Sequence, residues 1–162
     1  MTTDVDTLLL DRVFQPVADR LKDWTTCFGL ARVSLAAGIA LQTAVLAFDI
    51  QTYGDPAILI LAVGATLLAY LGADQARALI ARVERQSRPG VMNVRRITLR
   101  WQRMAWLTVA ACCAGSSLAS LDLGSVCAGL ATLSWVAVVY FLSCSPQPPA
   151  ARRFRHYALA GA

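Results

Sequence analysis

The sequence predicts an all-α membrane protein with four transmembrane helices, an N-terminal amphipathic helix at the membrane interface, and both termini in the cytoplasm. The first observation behind this prediction is the composition: 57% of the 162 residues are hydrophobic and the mean hydropathy is +0.53, which is too apolar for an ordinary soluble domain. The second is the charge distribution, since about half of the basic residues lie in residues 77–103, between two long apolar runs. Because Lys and Arg near membrane ends mark the cytoplasmic side, this segment is placed inside and the other segments alternate from it.

The chain divides into three predicted parts, without a separate soluble domain. Residues 1–25 form the interfacial helix, residues 26–145 the four-helix transmembrane domain with its Arg-rich cytoplasmic hairpin at 77–103, and residues 146–162 a cytoplasmic tail that contains Pro and Arg. A helix needs about 20 residues to cross a bilayer. The turns after the first and third spans carry no Lys or Arg, as expected for the outer side. The predicted spans are residues 29–48, 56–75, 104–121 and 123–142.

The N-terminal helix is amphipathic, with apolar residues at helical spacing on one side and several Asp residues on the other. Pro16 lacks a backbone N–H, so the helix is expected to kink near it or to restart with Pro16 in its first turn. A helix held by anionic lipid normally has a face rich in Lys and Arg, whereas an acidic face favours a protein partner. A solvated polar face is the alternative. The residues predicted to dock on a partner are Leu8, Leu9, Asp11, Val13, Val17 and Asp19.

Small residues recur at about four-residue spacing in the predicted spans. Such a spacing leaves a shallow strip on one side of a helix, which allows another helix to approach closely in a membrane. There are more of these faces than one compact bundle needs, so some are expected to pack against other subunits. The predicted helix-packing residues are Gly38, Ala65, Ala69, Ala73, Ala111, Gly115, Ala119 and Ala128.

The charged residues at the cytoplasmic level predict two kinds of contact. Arg32 and Asp74 fall at about the same depth in the first two helices, so they are predicted as an ion pair. A pair between Asp74 and Arg77 within one helix is the alternative. Arginines clustered at this leaflet can bind lipid phosphates or a partner protein. The residues assigned to such contacts are Arg85, Arg88, Arg95, Arg96, Arg100 and Arg103.

No pattern in the sequence predicts a catalytic, metal or cofactor site. The only histidine, His156, lies in the basic tail, whereas a b-type haem needs axial ligands within the bilayer. The five cysteines have no paired spacing typical of a zinc site or a disulfide framework. Every carboxylate falls at or beyond a predicted helix end, whereas cation-coupled transporters usually place an acidic residue deep in a span. The chain also lacks the fold signature or aromatic platform of a nucleic-acid-binding protein, so nucleic acid is not expected as a partner.

The sequence therefore predicts a protein that is not an enzyme and holds no cofactor, with membrane lipids and other integral membrane subunits as its partners. Its predicted function is that of a non-catalytic accessory or structural subunit of a larger membrane complex. The alternative is a small homo-oligomeric transporter or a holin-like pore, in which the small-residue faces would pack copies of the chain. An Arg-rich, Ala-rich composition with Lys22 as the only lysine favours a bacterial inner membrane. The N-terminus lacks the basic n-region of a signal peptide, so no cleavage is expected.

Overall fold

The computed structural model describes residues 5–52, 56–85, 96–120 and 123–144, apart from the side chains of residues 116–120. These ranges contain helices and no β-strand, which confirms the predicted all-α class. The elements are α1 (Val5–Leu9), a π-helical turn (Leu10–Phe14), α2 (Gln15–Arg20), α3 (Cys27–Thr52), α4 (Pro56–Arg85), α5 (Arg100–Ser120) and α6 (Leu123–Ser143).

α1, the π-helical turn and α2 follow one another without a break and form the N-terminal segment, residues 5–20. The π-helical turn ends where the Gln15 N–H donates to the carbonyl of Leu10, five residues back. Pro16 comes next, in the first turn of α2, where its missing N–H costs no hydrogen bond. Of the two arrangements predicted around Pro16, the structure shows the restart.

Three of the long helices, α3, α4 and α6, are long and apolar enough to cross a membrane. α5 covers residues 104–120 of the third predicted span, whose last residue lies outside the described residues. It is not among the helices that meet both conditions in the described part of the chain. Its first turn contains Arg100, Gln102 and Arg103, and its last turns are rich in Gly and Ser. α4 continues past its predicted span as one helix to Arg85, in agreement with an extension beyond the membrane.

The long helices pack in the order α4, α3, α6, α5. α3 packs most extensively against α6 and also against α4, while α5 packs against α6. Neighbouring helices in the chain are antiparallel: Arg32 near the start of α3 contacts Glu84 near the end of α4, and Arg103 near the start of α5 contacts Ser143 at the end of α6. The starts of α3 and α5 therefore lie beside the ends of α4 and α6, and we call this end of the bundle the basic end.

The core lies at the basic end, where the N-terminal segment covers the last turns of α6. Every residue of 138–144 is buried. The ring of Phe14 stacks on Tyr140 with centroids 4.5 Å apart and meets Phe141 edge-on at 5.3 Å. An aromatic pair of this kind contributes about 0.5–1.5 kcal/mol beyond the area it buries. The N-terminal segment is thus an integral part of the fold.

The outer face of α4 is apolar and uncovered. Ile60, Leu61 and Leu68 have exposed fractions of 72%, 73% and 71%. On a helix of this length, a large uncovered apolar face fits contact with lipid chains. The structure therefore agrees with the broad prediction of an integral membrane protein.

Candidate functional site

The candidate site is a buried ionic cluster at the basic end, formed by Asp6, Arg103, Tyr140 and Ser143. Arg103 makes a bidentate contact with Asp6, since its Nε donates to Oδ1 at 2.7 Å and its Nη2 donates to Oδ2 at 2.6 Å. The Tyr140 hydroxyl donates to Asp6 Oδ1 at 2.9 Å. The third guanidinium nitrogen, Nη1, donates to Ser143 Oγ at 2.8 Å and to the carbonyl of Arg96 at 3.1 Å. All three guanidinium nitrogens and both carboxylate oxygens therefore have a partner.

Three elements that are far apart in the sequence bring these side chains together. Asp6 belongs to α1, and Arg103 to the first turn of α5. Tyr140 and Ser143 lie at the end of α6, three residues apart and hence on the same side of the helix. Ser143 also donates to the carbonyl of Val139 at 2.9 Å, which fixes the direction of its hydroxyl. The cluster consequently ties the N-terminal segment to both α5 and α6.

The two charges of the cluster are almost completely removed from solvent, with exposed side-chain fractions of 0% for Asp6 and 3% for Arg103. Burial by itself raises the pKa of Asp6, but hydrogen bonds from Arg103 and Tyr140, together with the positive charges of Arg103 and Arg100, hold that pKa below its ordinary value. The Arg103 guanidinium also lies 5.7 Å from the centroid of the Tyr140 ring, within the range of a cation–π contact. Asp6 is therefore ionised at neutral pH and neutralises Arg103.

A second and more exposed contact joins the N-terminal segment to the residues before α5. Arg96 Nη2 lies 3.4 Å from Asp11 Oδ1 and donates to Gln15 Oε1 at 3.4 Å. Gln15 Nε2 in turn donates to Asp19 Oδ1 at 3.0 Å. Arg96 Nε is buried and has no hydrogen-bond partner among the described residues. Arg96 thus contacts the N-terminal segment about one helical turn closer to α2 than Arg103 does.

The chemistry of the cluster is that of a structural clamp. Both oxygens of Asp6 accept hydrogen bonds, and the Tyr140 hydroxyl is committed to one of them, so neither group is placed to exchange a proton with a substrate. Within the described ranges, no group of three or more His, Cys, Asp or Glu side chains is placed to hold a metal ion. Removing one member of a buried ion pair costs about 3–5 kcal/mol, so this pair strongly favours the docked N-terminal segment.

The structure gives several of the predicted contact residues a partner inside the chain, Arg96 among them. Arg103, predicted to contact a lipid phosphate or a partner protein, is buried against Asp6 instead. Asp11 and Asp19, predicted to dock on a partner, contact Arg96 and Gln15. The physical reason is that the acidic side of the N-terminal segment faces arginines of the same chain. This side therefore no longer requires a basic surface on another protein.

The predicted ion pair between Arg32 and Asp74 is absent from the described residues. Arg32 contacts Glu84 across α3 and α4, because α4 stays helical long enough to bring Glu84 beside the start of α3. Asp74 accepts a hydrogen bond from Arg77 Nη1 at 2.9 Å within α4, which is the alternative that the sequence left open. All four side chains are substantially exposed, so each pair contributes only about 0–1 kcal/mol.

Two of the predicted helix-packing residues are used inside the chain. Gly38 is buried, and a Cβ added there would lie 3.3 Å from Ser134 Cβ and 3.5 Å from Trp135 Nε1, so α3 and α6 approach closely at this point. Ala73 of α4 is also buried, with 1% of its surface exposed. Ala69 and Ala128 are half-buried.

Three of the other predicted helix-packing residues, Ala65, Ala111 and Gly115, are not covered by the described part of the chain. Ala65 and Ala111 are exposed. A Cβ added at Gly115 would meet no atom within 4 Å in the described structure. The side chain of Ala119 lies outside the description. The small-residue face of α5 is therefore open where the structure describes it.

The remaining predicted contact residues differ in accessibility. On the outer side of the N-terminal segment, Leu8, Val13 and Val17 have exposed fractions of 42%, 45% and 38%, and Leu9 is half-buried. Among the predicted arginines, Arg85 and Arg100 are exposed, Arg96 is half-buried, and Arg88 and Arg95 lie outside the described residues.

The residues that complete the buried cluster, Asp6, Tyr140 and Ser143, are not among the predicted site residues. The sequence does contain information that points to these residues. Because the spans alternate in direction, the N-terminal helix, the start of the third span and the end of the fourth all lie at the same membrane surface. An arginine entering the membrane at that level favours an acidic partner at the same depth. The sequence offers five Asp residues before α3, and the choice of Asp6 depends on how the π-helical turn directs the segment.

Comparisons with models of protein families, with curated proteins and with solved structures found no match to this chain.

Proposed function

We propose that this protein is a non-catalytic accessory or structural subunit of a larger integral membrane complex in a bacterial inner membrane. In this proposal it crosses the membrane four times with both termini in the cytoplasm. It packs on its partner through the open small-residue face of α5 and through the outer side of the N-terminal segment. The observation that carries the proposal is the uncovered surface of α5.

α5 is the long helix least suited to face lipid. It is not among the described helices that are apolar enough to span a membrane, yet α6 is the long helix against which it mainly packs. Thr108, Ala111 and Gly115 consequently remain accessible. A small-residue face gains close van der Waals contact from a second helix, which lipid chains supply less well. A partner helix on this face would cover what the chain leaves open.

The length and charge of α5 support a fourth crossing. Its 21 residues extend about 32 Å at a rise of 1.5 Å per residue, close to the thickness of the hydrocarbon core, about 30 Å. Its charged residues, Arg100 and Arg103, lie at one end. A central arginine costs about 2.5–3.5 kcal/mol on insertion, and the position of Arg103 near the helix start, together with its pairing to Asp6, lowers that cost.

The N-terminal segment supplies a second surface for a partner. Its inner side is packed, since Leu10 is buried and Phe14 stacks on Tyr140. Its outer side still presents Leu8, Val13 and Val17. An apolar stripe that the described chain leaves uncovered is consistent with an outer partner.

Copurification from native membranes after gentle solubilisation tests the proposal. Wild-type protein is expected to purify with a defined integral membrane partner, and Gly115→Leu is expected to reduce the yield of that partner, because the larger side chain separates the helices. Leu61→Ala is the control, since Leu61 is 73% exposed on α4, far from the α5 face. Membrane content of each variant is measured in parallel.

Two results would contradict an accessory role. A pure oligomer of the chain, with no second protein, would favour the small homo-oligomeric transporter or holin-like pore. An undiminished yield of partner with Gly115→Leu would show that the α5 face is not the contact surface.

A further inference from the structure

A groove of about 1040 Å³ lies between α4 and α5, two helices that make no extensive contact in the described part of the chain. α6 closes it from behind with Trp135, which stacks on Trp106 of α5 with ring centroids 5.7 Å apart and planes inclined by 8°. The α4 wall is lined by Ala69, Gly72 and Ala76, whose short side chains leave the space between the helices open. The middle of the groove is therefore apolar, with a flat aromatic floor.

The end of the groove nearest the basic end of the bundle is polar. Arg82 and Gln75 of α4 and Gln102 of α5 line it, and all three are exposed. None of them has an ion-pair or hydrogen-bond partner among the described residues. The Arg82 guanidinium supplies several N–H donors for a phosphate, and the two amide groups add N–H donors along the same end of the groove. The opposite end is bordered by Gln42 of α3.

The polar end lies at the level of the lipid head groups if α4 crosses the membrane from Pro56. At about 20 residues per crossing, the hydrocarbon ends near Gln75. Arg82 follows about 10 Å further along the helix axis. Helical side chains tilt toward the N-terminus of their helix, so Arg82 reaches back toward the membrane. From Ala65 to Arg82 the groove extends about 26 Å, which accommodates the hydrocarbon of one leaflet, about 15 Å deep, and the head-group layer above it.

We propose that this groove binds one phospholipid of the leaflet at the basic end of the bundle. Arg82 binds the phosphate, Gln75 and Gln102 donate hydrogen bonds to the polar part of the lipid, and an acyl chain lies along the stacked rings of Trp106 and Trp135. The binding site belongs to the chain itself and does not depend on whether a partner subunit packs on α5 or on the N-terminal segment.

Arg82 has no ion-pair partner among the described residues, and its charge favours a lipid over a partner helix or a second copy of the chain. Helices associate in membranes through small and apolar side chains. Such a helix in the groove would cover Arg82 without supplying an anion, and a buried unpaired charge is costly. A phospholipid supplies both an apolar chain for the floor and a phosphate for the guanidinium.

Native mass spectrometry of the full-length protein, delipidated in detergent and titrated with phosphatidylglycerol, tests the proposal. Wild type is expected to bind one lipid, and Arg82→Gln to bind it about tenfold more weakly, since a charge-assisted contact to phosphate is lost. Arg82→Lys, which keeps the charge, should recover part of the affinity. Arg77→Gln is the matched control, because it removes the same charge from α4 at an exposed residue that does not line the groove.

A second pair of variants tests the apolar part. Gly72→Leu is expected to prevent binding, because its Cβ would already lie 3.9 Å from the Trp135 ring and the remaining side chain would fill the groove. Gly64→Leu is its control, since a Cβ there meets no atom within 4 Å in the described structure. Helix content and monodispersity of each variant are measured first. If Gly72→Leu does not fold, the proposal is tested by the Arg82 variants alone.

Three results would overturn the lipid site. Equal binding by wild type, Arg82→Gln and Arg77→Gln would show contact with surrounding lipid only. Displacement by inorganic phosphate would show an anion site without an acyl chain. A lipid-free dimer, or a bound second protein, that is lost with Gly72→Leu would assign the groove to a helix instead.

Discussion

Arg103 is the residue on which the docking of the N-terminal segment depends. Asp6, Tyr140, Ser143 and the carbonyl of Arg96 all contact its guanidinium or its partner carboxylate. A buried ion pair adds little net stability compared with apolar residues of the same shape, but breaking it is costly. The pair therefore specifies which of several Asp residues lies against α5, and so fixes the register of the N-terminal segment on the bundle.

We predict that Asp6→Asn destabilises the folded protein by about 3–5 kcal/mol, because it leaves Arg103 buried without a counter-charge. The measurement is thermal unfolding in detergent, together with the rate of proteolysis within residues 5–20. Asp23→Asn is the control, since Asp23 is exposed. The double variant Asp6→Leu with Arg103→Leu should lose less stability than Asp6→Asn alone, and the opposite order would contradict the clamp.

The pH dependence of stability follows from the lowered pKa of Asp6. Burial opposes ionisation, but the contacts with Arg103 and Tyr140 outweigh it and hold the folded-state pKa below the ordinary value of 3.8. The contribution of the carboxylate is therefore fully present above about pH 4 and is lost as the pH falls through the lower, folded-state pKa. Below about pH 4, the unfolding temperature of the wild type should fall more steeply with decreasing pH than that of Asp6→Asn. Parallel curves for the two proteins would contradict this assignment.

The π-helical turn decides which side of the N-terminal segment faces the bundle. Asp6, Leu10, Phe14 and Ala18 are spaced by four residues and all contact or face the core. In a regular α-helix, residues four apart differ in direction by about 40° around the helix axis. The wider π-helical turn at Leu10–Phe14 reduces this rotation. Uniform α-helical periodicity instead predicts an apolar stripe through Leu8, Val13 and Val17. A π-helical turn has no comparable sequence signature.

Close packing of α3 on α6 leads to a prediction about Gly38. A Cβ there would already lie 3.3 Å from Ser134 Cβ, so Gly38→Leu forces the two helices apart and should cost about 1–3 kcal/mol through overpacking. Gly64→Leu is the matched control, because its surroundings are open, and it should be nearly neutral. Thermal unfolding of both variants in detergent checks the prediction. Equal losses would show that the effect comes from removing a helical glycine rather than from the helix contact.

The positions of the long helices could be predicted from the sequence, whereas the contacts between them could not. Hydropathy places the first and fourth runs at residues 29–48 and 123–142, within α3 (Cys27–Thr52) and α6 (Leu123–Ser143). The partner of Arg32 was assigned to Asp74 by depth alone, but Glu84 is the residue that meets it. Depth along the membrane does not determine how far α4 extends as a helix or how it is rotated about its axis.

The burial of side chains is uneven across the whole molecule. α6 is buried along its second half, while α4 and α5 stand at the two ends of the packing order and leave a groove between them. This arrangement could not be read from the four apolar runs, because small residues occur on every helix and do not say which faces meet. The structure shows that Gly38 and Ala73 are used internally and that the α5 face is open.

The orientation of the whole molecule is a further prediction. Basic residues concentrate in residues 77–103 and in the tail, so both termini are expected on the cytoplasmic side. Alkaline phosphatase fused at the C-terminus should be inactive, and a cytoplasmically active reporter at the same position should be active. Fusions after residue 52, at the first outer turn, are the control, and there the phosphatase should be active and the cytoplasmic reporter inactive. An active phosphatase at the C-terminus would reverse the topology.

The long sequence separation within the buried cluster constrains the order in which the protein forms during synthesis. Asp6 is 97 residues from Arg103 and 134 residues from Tyr140. Synthesis proceeds from the N-terminus at about 5–20 residues per second, so Asp6 leaves the ribosome several seconds or more before Tyr140. During that interval Asp6 lacks the Tyr140 hydroxyl that donates to it, and Arg103 likewise precedes its partner Ser143 by 40 residues. The N-terminal segment is therefore synthesised well before the residues on which it docks, and it reaches its native contacts late.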